Sequence, residues 1–111
     1  MTRDAKLTRE GVEDALIYLA ESAKEYAEAK GRRVWLEERR KIVKAQAFSL
    51  AEGTMAEREA LAYQGADYQK CVDELREAVA AEETMRAYRA AAECRVEVWR
   101  SLESSRRAAN V

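Results

Sequence analysis

The chain contains no proline and only four glycines among its 111 residues. Proline and glycine interrupt helices more strongly than any other residues, so their scarcity favours long helices. Alanine, glutamate and arginine are abundant, and 37% of the residues are charged, which is also typical of long helices or coiled coils. We therefore predict an all-α fold, and the length is that of one domain.

Start and stop signals divide the chain into three helices. Thr8 is positioned to cap the first helix, and Gly53 is positioned to follow its end. Thr54 and Glu57 have the spacing of a capping box, and Asp67 is positioned to cap the last helix. The sequence thus predicts one domain over 1–111, with a frayed segment 1–8, a long helix over about 9–52 that is either straight or bent at Gly31, a short helix over 55–64, a long helix over 67–107 and a tail over 108–111.

The apolar residues of the first helix form two stripes that differ in phase. The first stripe comprises Val12, Leu16, Leu19, Ala23 and Tyr26. The second stripe, after Gly31, comprises Leu36, Val43, Ala47 and Leu50, flanked by Trp35 and Ile42. One partner helix can cover only one of these stripes, so the change of phase predicts that a second subunit covers the other.

The last helix has one apolar face along most of its length. Its members are Tyr68, Val72, Leu75, Val79, Met85, Tyr88, Ala92, Val96, Trp99 and Leu102. The two long helices have similar lengths and a short connector, which favours an antiparallel helical hairpin with the short helix at its tip. Since two helices bury only one seam each, we expect the hairpin to assemble as a homo-oligomer.

Several classes of enzyme are excluded by composition, because the chain has no histidine. It cannot build a Ser-His-Asp or Cys-His centre, a histidine-bearing zinc site or a histidine general base. The adjacent carboxylates Glu37-Glu38 and Glu82-Glu83 point in different directions on a helix, and we interpret them as solvated surface. We predict a protein that is not an enzyme and has no catalytic residue, metal site or cofactor.

The two cysteines, Cys71 and Cys94, lie 23 residues apart in one predicted helix, too far apart to form an intrachain disulfide. We interpret them as small apolar core residues in a reducing compartment. The N-terminal residues contain no apolar run of signal-peptide length, and no segment approaches the length of a membrane span. The expected location is the cytoplasm, without membrane association.

A basic arc is the main candidate for a binding site. On a continuous helix it comprises Lys30, Arg33, Arg40, Lys41 and Lys44, interrupted only by Glu37. Repeated around a ring of subunits, such an arc would follow a phosphate backbone, and Trp35 is the aromatic residue placed to stack on bases. Alternatively, the basic residues of 32–52 pair across the hairpin with the acidic segment 67–84, and the charges serve only folding.

The segment Trp35-Leu36-Glu37-Glu38-Arg39-Arg40-Lys41-Ile42-Val43-Lys44-Ala45 forms a basic helix, followed by a glycine-containing connector and a long acidic-then-mixed helix. In this order of features, over about 30–107, the chain resembles the phage recombination mediators of the UvsY type. Near the end of the basic helix, the family's Lys-Ala-Arg corresponds to Lys44-Ala45-Gln46 here, without the arginine. The resemblance implies an oligomer that binds single-stranded DNA and contacts a recombinase or a single-strand-binding protein.

Two hypotheses about function therefore follow from the sequence. In the first, the protein is a non-enzymatic accessory factor of recombination or replication, and its basic arc holds single-stranded DNA. In the second, it is a helical protein–protein interaction or scaffold module that does not bind nucleic acid. In the first hypothesis, an arc that contacts only the phosphate backbone would carry no base preference.

Overall fold

The computed structural model of the protein describes residues 7–110. They form three α-helices, α1 over Arg9–Leu50, α2 over Met55–Gln64 and α3 over Ala66–Ala109, and no strand occurs within this range. The all-α prediction is confirmed. Helix α1 runs through Gly31 without a break, and α3 extends two residues beyond its predicted end, into the segment expected to be a tail. Most of the predicted frayed segment 1–8 lies outside the described residues.

Threonine side chains cap α1 and α2 as the sequence predicts. The Gly11 N–H donates to the Thr8 hydroxyl over 3.0 Å, and the Glu57 N–H donates to the Thr54 hydroxyl over 3.2 Å. Each hydroxyl satisfies one of the backbone donors that have no partner inside a helix. Between the two helices, Gly53 has a φ of 118°, a left-handed conformation that side chains with a Cβ rarely adopt.

The junction between α2 and α3 is tighter than predicted. Gly65 alone separates the two helices, with extended dihedral angles of −62° and 139°. Asp67 is therefore not the cap of α3 but lies inside its first turn, where a carboxylate still interacts favourably with the helix dipole. The Gln69 side-chain amide donates to the Tyr63 carbonyl over 2.8 Å and ties the start of α3 to the end of α2.

The chain divides into two compact units, each containing a segment of α1 and a segment of α3. The central unit is residues 27–83 and includes α2, and the described part of the terminal unit combines residues 7–26 with 84–110. In the central unit, Arg33 meets Glu82, and Val43, later in α1, shares a groove with Cys71, earlier in α3. The α1 and α3 segments of this unit therefore run in opposite directions.

The terminal unit has the same antiparallel arrangement of its own two segments. Val12 shares a groove with Val96 and Trp99, whereas the carbonyl of Leu19, later in α1, accepts a hydrogen bond from Arg89, earlier in α3. The buried side chains here are Val12, Ala15 and Ala92, together with Ser22. Small residues at these positions allow close approach of the two backbones.

The buried positions of α1 form a single seam, which corrects the prediction of two stripes out of phase. Their spacing alternates between three and four residues, as in a coiled coil. The seam consists of Val12, Ala15, Leu19, Ser22 and Tyr26 in the terminal unit, and of Ala29, Arg33, Leu36, Arg40, Val43 and Ala47 in the central unit, all of them buried or half-buried. The apparent change of phase arises because serine and arginine occupy seam positions that a purely apolar pattern omits. Leu16 and Ala23, assigned to the first stripe, are exposed.

The residues of α3 that face α1 also have spacings that alternate between three and four residues. This seam of α3 consists of Tyr68, Cys71, Leu75, Ala78 and Glu82 in the central unit, and Met85, Arg89, Ala92, Val96, Trp99 and Glu103 in the terminal unit. Three residues predicted on its apolar face, Val79, Tyr88 and Leu102, are instead exposed by 38%, 65% and 43%. The core is correspondingly thin, and its largest cluster of buried residues is Leu36, Leu75 and Ala78.

The cysteines differ from the sequence-based interpretation. Both thiols are free, but only Cys71 is half-buried, whereas Cys94 is exposed and is not a core residue. Cys94 falls outside the alternating three- and four-residue spacing of the α3 seam. No helix within residues 7–110 is long and apolar enough to cross a membrane.

Gly31 provides the first mutational test of the fold. Apart from the adjacent residues and the backbone of the same helix turn, no atom lies within 4 Å of the position that a Cβ would occupy there, so alanine fits without steric cost. Alanine is favoured over glycine inside a helix, and Gly31→Ala should stabilise the protein by about 1 kcal/mol. Thermal unfolding followed by circular dichroism measures this gain. A lower melting temperature in the variant would contradict a continuous, unobstructed α1 at this position.

Candidate functional site

The structure separates the side chains of the predicted basic arc instead of presenting them as one exposed track. Arg33 and Arg40 are seam residues and are partly buried, Lys44 is also partly buried, and Lys30 and Lys41 are exposed. The Lys41 ammonium lies 3.3 Å from the Glu38 carboxylate. All five belong to the central unit, but they differ in their surroundings, and two of them, Arg33 and Lys44, are held by contacts with other helices.

Arg33 is held by two carboxylates. Its Nε and Nη2 donate to Glu82, the latter over 3.5 Å, and its Nη1 donates to Glu37 Oε1 over 2.8 Å. Glu82 is completely buried, so it is not the solvated surface residue that the sequence suggested. The hydrogen bonds to Glu82 and then to Glu37 raise the pKa of Arg33 further above its ordinary value. This guanidinium is neutralised inside the central unit and is a structural group.

Lys44 connects α1 to α2. Its ammonium donates to the Tyr63 hydroxyl, lies 3.9 Å from the centre of the Tyr63 ring and is 3.6 Å from the Glu59 carboxylate. Tyr63 in turn packs edge-on against Tyr68, with ring centres 5.5 Å apart. The lysine predicted to contact DNA therefore anchors the short helix.

Arg58 is a second anchor of α2, and sequence analysis did not single it out. Its Nε and Nη2 donate to the Phe48 carbonyl over 3.2 and 3.1 Å, and its guanidinium lies 4.3 Å from the centre of the Phe48 ring. Phe48 is in the last turn of α1, where carbonyls lack partners within the helix and no basic residue is present. Arg58 thus supplies the cation that stabilises the C-terminus of α1.

The Lys44 contacts predict a pH dependence. The hydrogen bond to Tyr63 raises the pKa of Lys44, with a smaller contribution from Glu59. A folded-state pKa above the unfolded value means that the stabilisation is complete below about pH 10.4 and is lost as the pH rises through the raised pKa. Thermal melts of the protein and of Lys44→Met should therefore differ at pH 8 and converge towards pH 12. A difference that persists at pH 12 would assign the effect to packing of the lysine stem.

A groove beside Trp35 combines aromatic, cationic and acidic side chains from two helices. It encloses about 550 Å³ between α1 and α3 of the central unit. The side chains that define it are Trp35, Arg39, Gln46 and Leu50 from α1 and Asp67, Tyr68, Lys70, Cys71 and Glu74 from α3. Trp35 is 60% exposed. The α3 contribution could not be predicted, since it depends on the register between the helices.

The terminal unit holds a partly buried arginine that the sequence analysis also overlooked. Arg89 Nη1 donates to the Leu19 carbonyl over 2.8 Å and to the Ser22 hydroxyl over 2.6 Å. Its guanidinium lies 5.3 Å from the centre of the Tyr26 ring. The alternating three- and four-residue spacing would have placed both Ser22 and Arg89 in the seam. The hydrogen bond between Arg89 and Ser22 places a polar contact in the seam of the terminal unit, as Arg33 and Glu82 do in the central unit.

No cluster of three or more side chains that could hold a metal ion occurs within the described part of the chain. Comparisons with protein families, curated proteins and solved structures found no match. The resemblance to UvsY-type mediators therefore stays a prediction from the sequence.

Proposed function

We propose that the protein is a helical protein–protein interaction module, in which α1 and α3 form a long antiparallel hairpin with α2 at its tip and the hairpins assemble as an oligomer. The observation that carries this proposal is the contrast within the central unit between three of the five cations of the predicted basic arc and the exposed apolar residues near them. Arg33, Lys41 and Lys44 have carboxylate partners in the chain, whereas Trp35 and Ile42 are 60% and 48% exposed.

Exposed apolar side chains support a protein partner in both units. The large ones comprise Leu16, Ile17, Tyr88, Val98 and Leu102 in the terminal unit, and Val34, Trp35, Ile42, Leu50, Met55, Leu61, Tyr63 and Val79 in the central unit. Scattered exposed apolar residues are normal in a folded protein. Here, however, many large apolar side chains are exposed, while the hydrophobic core cluster has only three buried residues. Burial of part of this surface in an interface would add the apolar contacts that two helices alone lack.

Single-strand binding, the first function predicted from the sequence, remains as a second candidate because of one observation. The exposed indole of Trp35 shares its groove with Arg39 and Lys70. An aromatic platform beside cations is the arrangement that sequence-tolerant single-strand binders use. In this form of the hypothesis, Arg39 and Lys70 contact the phosphates in place of Arg33 and Lys44. A recombinase or single-strand-binding protein would be a further partner.

Two measurements separate the candidates. Sedimentation equilibrium at micromolar concentration should give a mass above 12.6 kDa, and a fluorescent oligonucleotide at low salt, where exposed cations bind best, should show no change in anisotropy. A stable monomer would overturn the interaction module. Saturable oligonucleotide binding that weakens with salt and is lost in both Trp35→Ala and Arg39→Ala would establish the nucleic-acid function instead.

A further inference from the structure

The groove beside Trp35 has two walls of opposite charge. The α1 wall includes Trp35, Arg39 and Gln46, and the α3 wall includes Asp67, Lys70 and Glu74. Ile42 lies on the same face of α1 as Trp35. The α1 wall contains one cation and no carboxylate, whereas the α3 wall contains two carboxylates and one cation. We propose that a second copy of this chain occupies the groove, with the α1 wall of each copy against the α3 wall of the other.

The charges of the two walls are available for this contact. Arg39 and Glu74 line the same groove, yet neither forms an ion pair with another side chain among residues 7–110. In a lone chain the two walls lie side by side and face outward. A partner that presents the same pair of walls in reversed order places Arg39 of each copy opposite Glu74 of the other, and complementary charges across an interface select the partner and its register.

A second copy presents its walls in reversed order when it is related to the first by a two-fold axis parallel to the helices of the central unit. This operation sets α1 opposite the partner's α3 and makes each helix antiparallel to both of its neighbours, as in an up-down-up-down four-helix bundle. The interface is isologous, so each wall-to-wall contact occurs twice. Repetition doubles the effect of every favourable pair and of every charge reversal.

Helix α2 leaves this side of the central unit open. It is fixed to other positions of α1, through Tyr63 on Lys44 and Arg58 on Phe48. Trp35 and Ile42 therefore remain exposed, and they are the apolar centre that the second copy would cover. Tryptophan is the residue type most often found at energetic centres of interfaces, and charges at the rim add specificity more than affinity.

A charge-swap experiment tests the inference, which rests on the proposed function. The variants Arg39→Glu and Glu74→Arg each place like charges across both contacts, so each alone should associate about tenfold more weakly than the unmodified chain. Mixed in equal amounts, the two variants should form a heterodimer. One contact then joins the two substituted side chains, a carboxylate at position 39 and a guanidinium at position 74, and the other joins the native Arg39 and Glu74.

Sedimentation velocity at matched concentrations compares the unmodified chain, the two single variants and their mixture. In the same measurement, Trp35→Ala should weaken association roughly thirtyfold, because it removes the apolar centre of the interface. Lys24→Glu is the matched control, since it makes the same change of charge at an exposed position in the terminal unit and should not affect the mass. Circular dichroism shows whether each variant remains helical.

The outcomes separate failure of this inference from failure of the proposed function. If the unmodified chain is an oligomer but both single variants keep its mass, another face mediates assembly, and the inference is wrong while the proposed function stands. If mixing fails to restore association, the groove does not pair with itself, and the inference is again wrong. If the unmodified chain is a monomer, both proposals fail.

Discussion

Leu36→Asp should unfold the central unit, whereas Leu16→Asp should leave the protein folded. Leu36 is 1% exposed and packs with Leu75 and Ala78 in the largest buried cluster. Loss of a buried leucine costs about 2–5 kcal/mol, and a buried carboxylate without a partner adds a further desolvation penalty. The sum is comparable to the whole stability of about 5–15 kcal/mol that is usual for a domain.

Leu16 is the matched control, because the change of residue is identical and the side chain is 51% exposed. Its substitution should shift the free energy of unfolding by less than about 1 kcal/mol in the monomer. Urea denaturation followed by far-ultraviolet circular dichroism compares the two variants. If Leu16→Asp proves as damaging as Leu36→Asp, Leu16 is buried in an assembly that involves the terminal unit. If Leu36→Asp is tolerated, the seam assigned to α1 is wrong.

The helices themselves were largely predictable from local signals. Thr8 and Thr54 act through hydrogen bonds within three residues, so their capping role can be inferred without knowledge of the rest of the fold. The start of α3 shows the limit of such signals. Asp67 is a good capping residue, but the extended residue Gly65 precedes it and the helix already begins at Ala66.

The seam was predicted less well, because its polar members were assumed to be on the surface. Glu82 is buried because Arg33 lies opposite it, and Arg33 is retained in the seam because Glu82 and Glu37 accept its hydrogen bonds. Neither burial follows from one helix considered alone. A search for alternating steps of three and four, with polar residues allowed, would have found both positions and removed the apparent change of phase at Gly31.

The candidate site was predictable only on its α1 side. Trp35 and Lys44 were predicted to contact nucleic acid, and that role stays a prediction. The sequence could not assign Lys44 to Tyr63 or Trp35 to a groove with Lys70. Lys44 and Tyr63 are 19 positions apart in the sequence, and Trp35 and Lys70 are 35 apart. Both arrangements depend on how α2 and α3 return along α1. The alternative interpretation of the basic residues predicted that residues of 32–52 pair with the acidic segment 67–84. The Arg33–Glu82 ion pair is one such pair.

Arg33→Met should be the most damaging substitution of a charged residue in the central unit. It leaves the completely buried Glu82 carboxylate without the guanidinium that neutralises it. Removal of one partner of a buried pair is strongly destabilising, and we expect the melting temperature to fall by on the order of 10 °C. Arg9→Met provides the control, since the Arg9–Glu13 pair is exposed at both side chains and should contribute almost nothing.

The double variant Arg33→Met/Glu82→Leu distinguishes the effect of pairing from that of packing. Replacement of both charges by apolar side chains of similar volume removes the desolvation penalty together with the attraction, and such replacements are often neutral or stabilising. The double variant should therefore melt at a higher temperature than Arg33→Met alone, although it carries one more substitution. If the destabilisation of the double variant equals the sum of the destabilisations caused by Arg33→Met and Glu82→Leu alone, the two residues are not coupled. Other contacts of Glu82 then account for its burial. If the double variant is more stable than the unmodified chain, the pair lowers stability, and its contribution to folding is then to fix the register of α1 against α3 in the central unit.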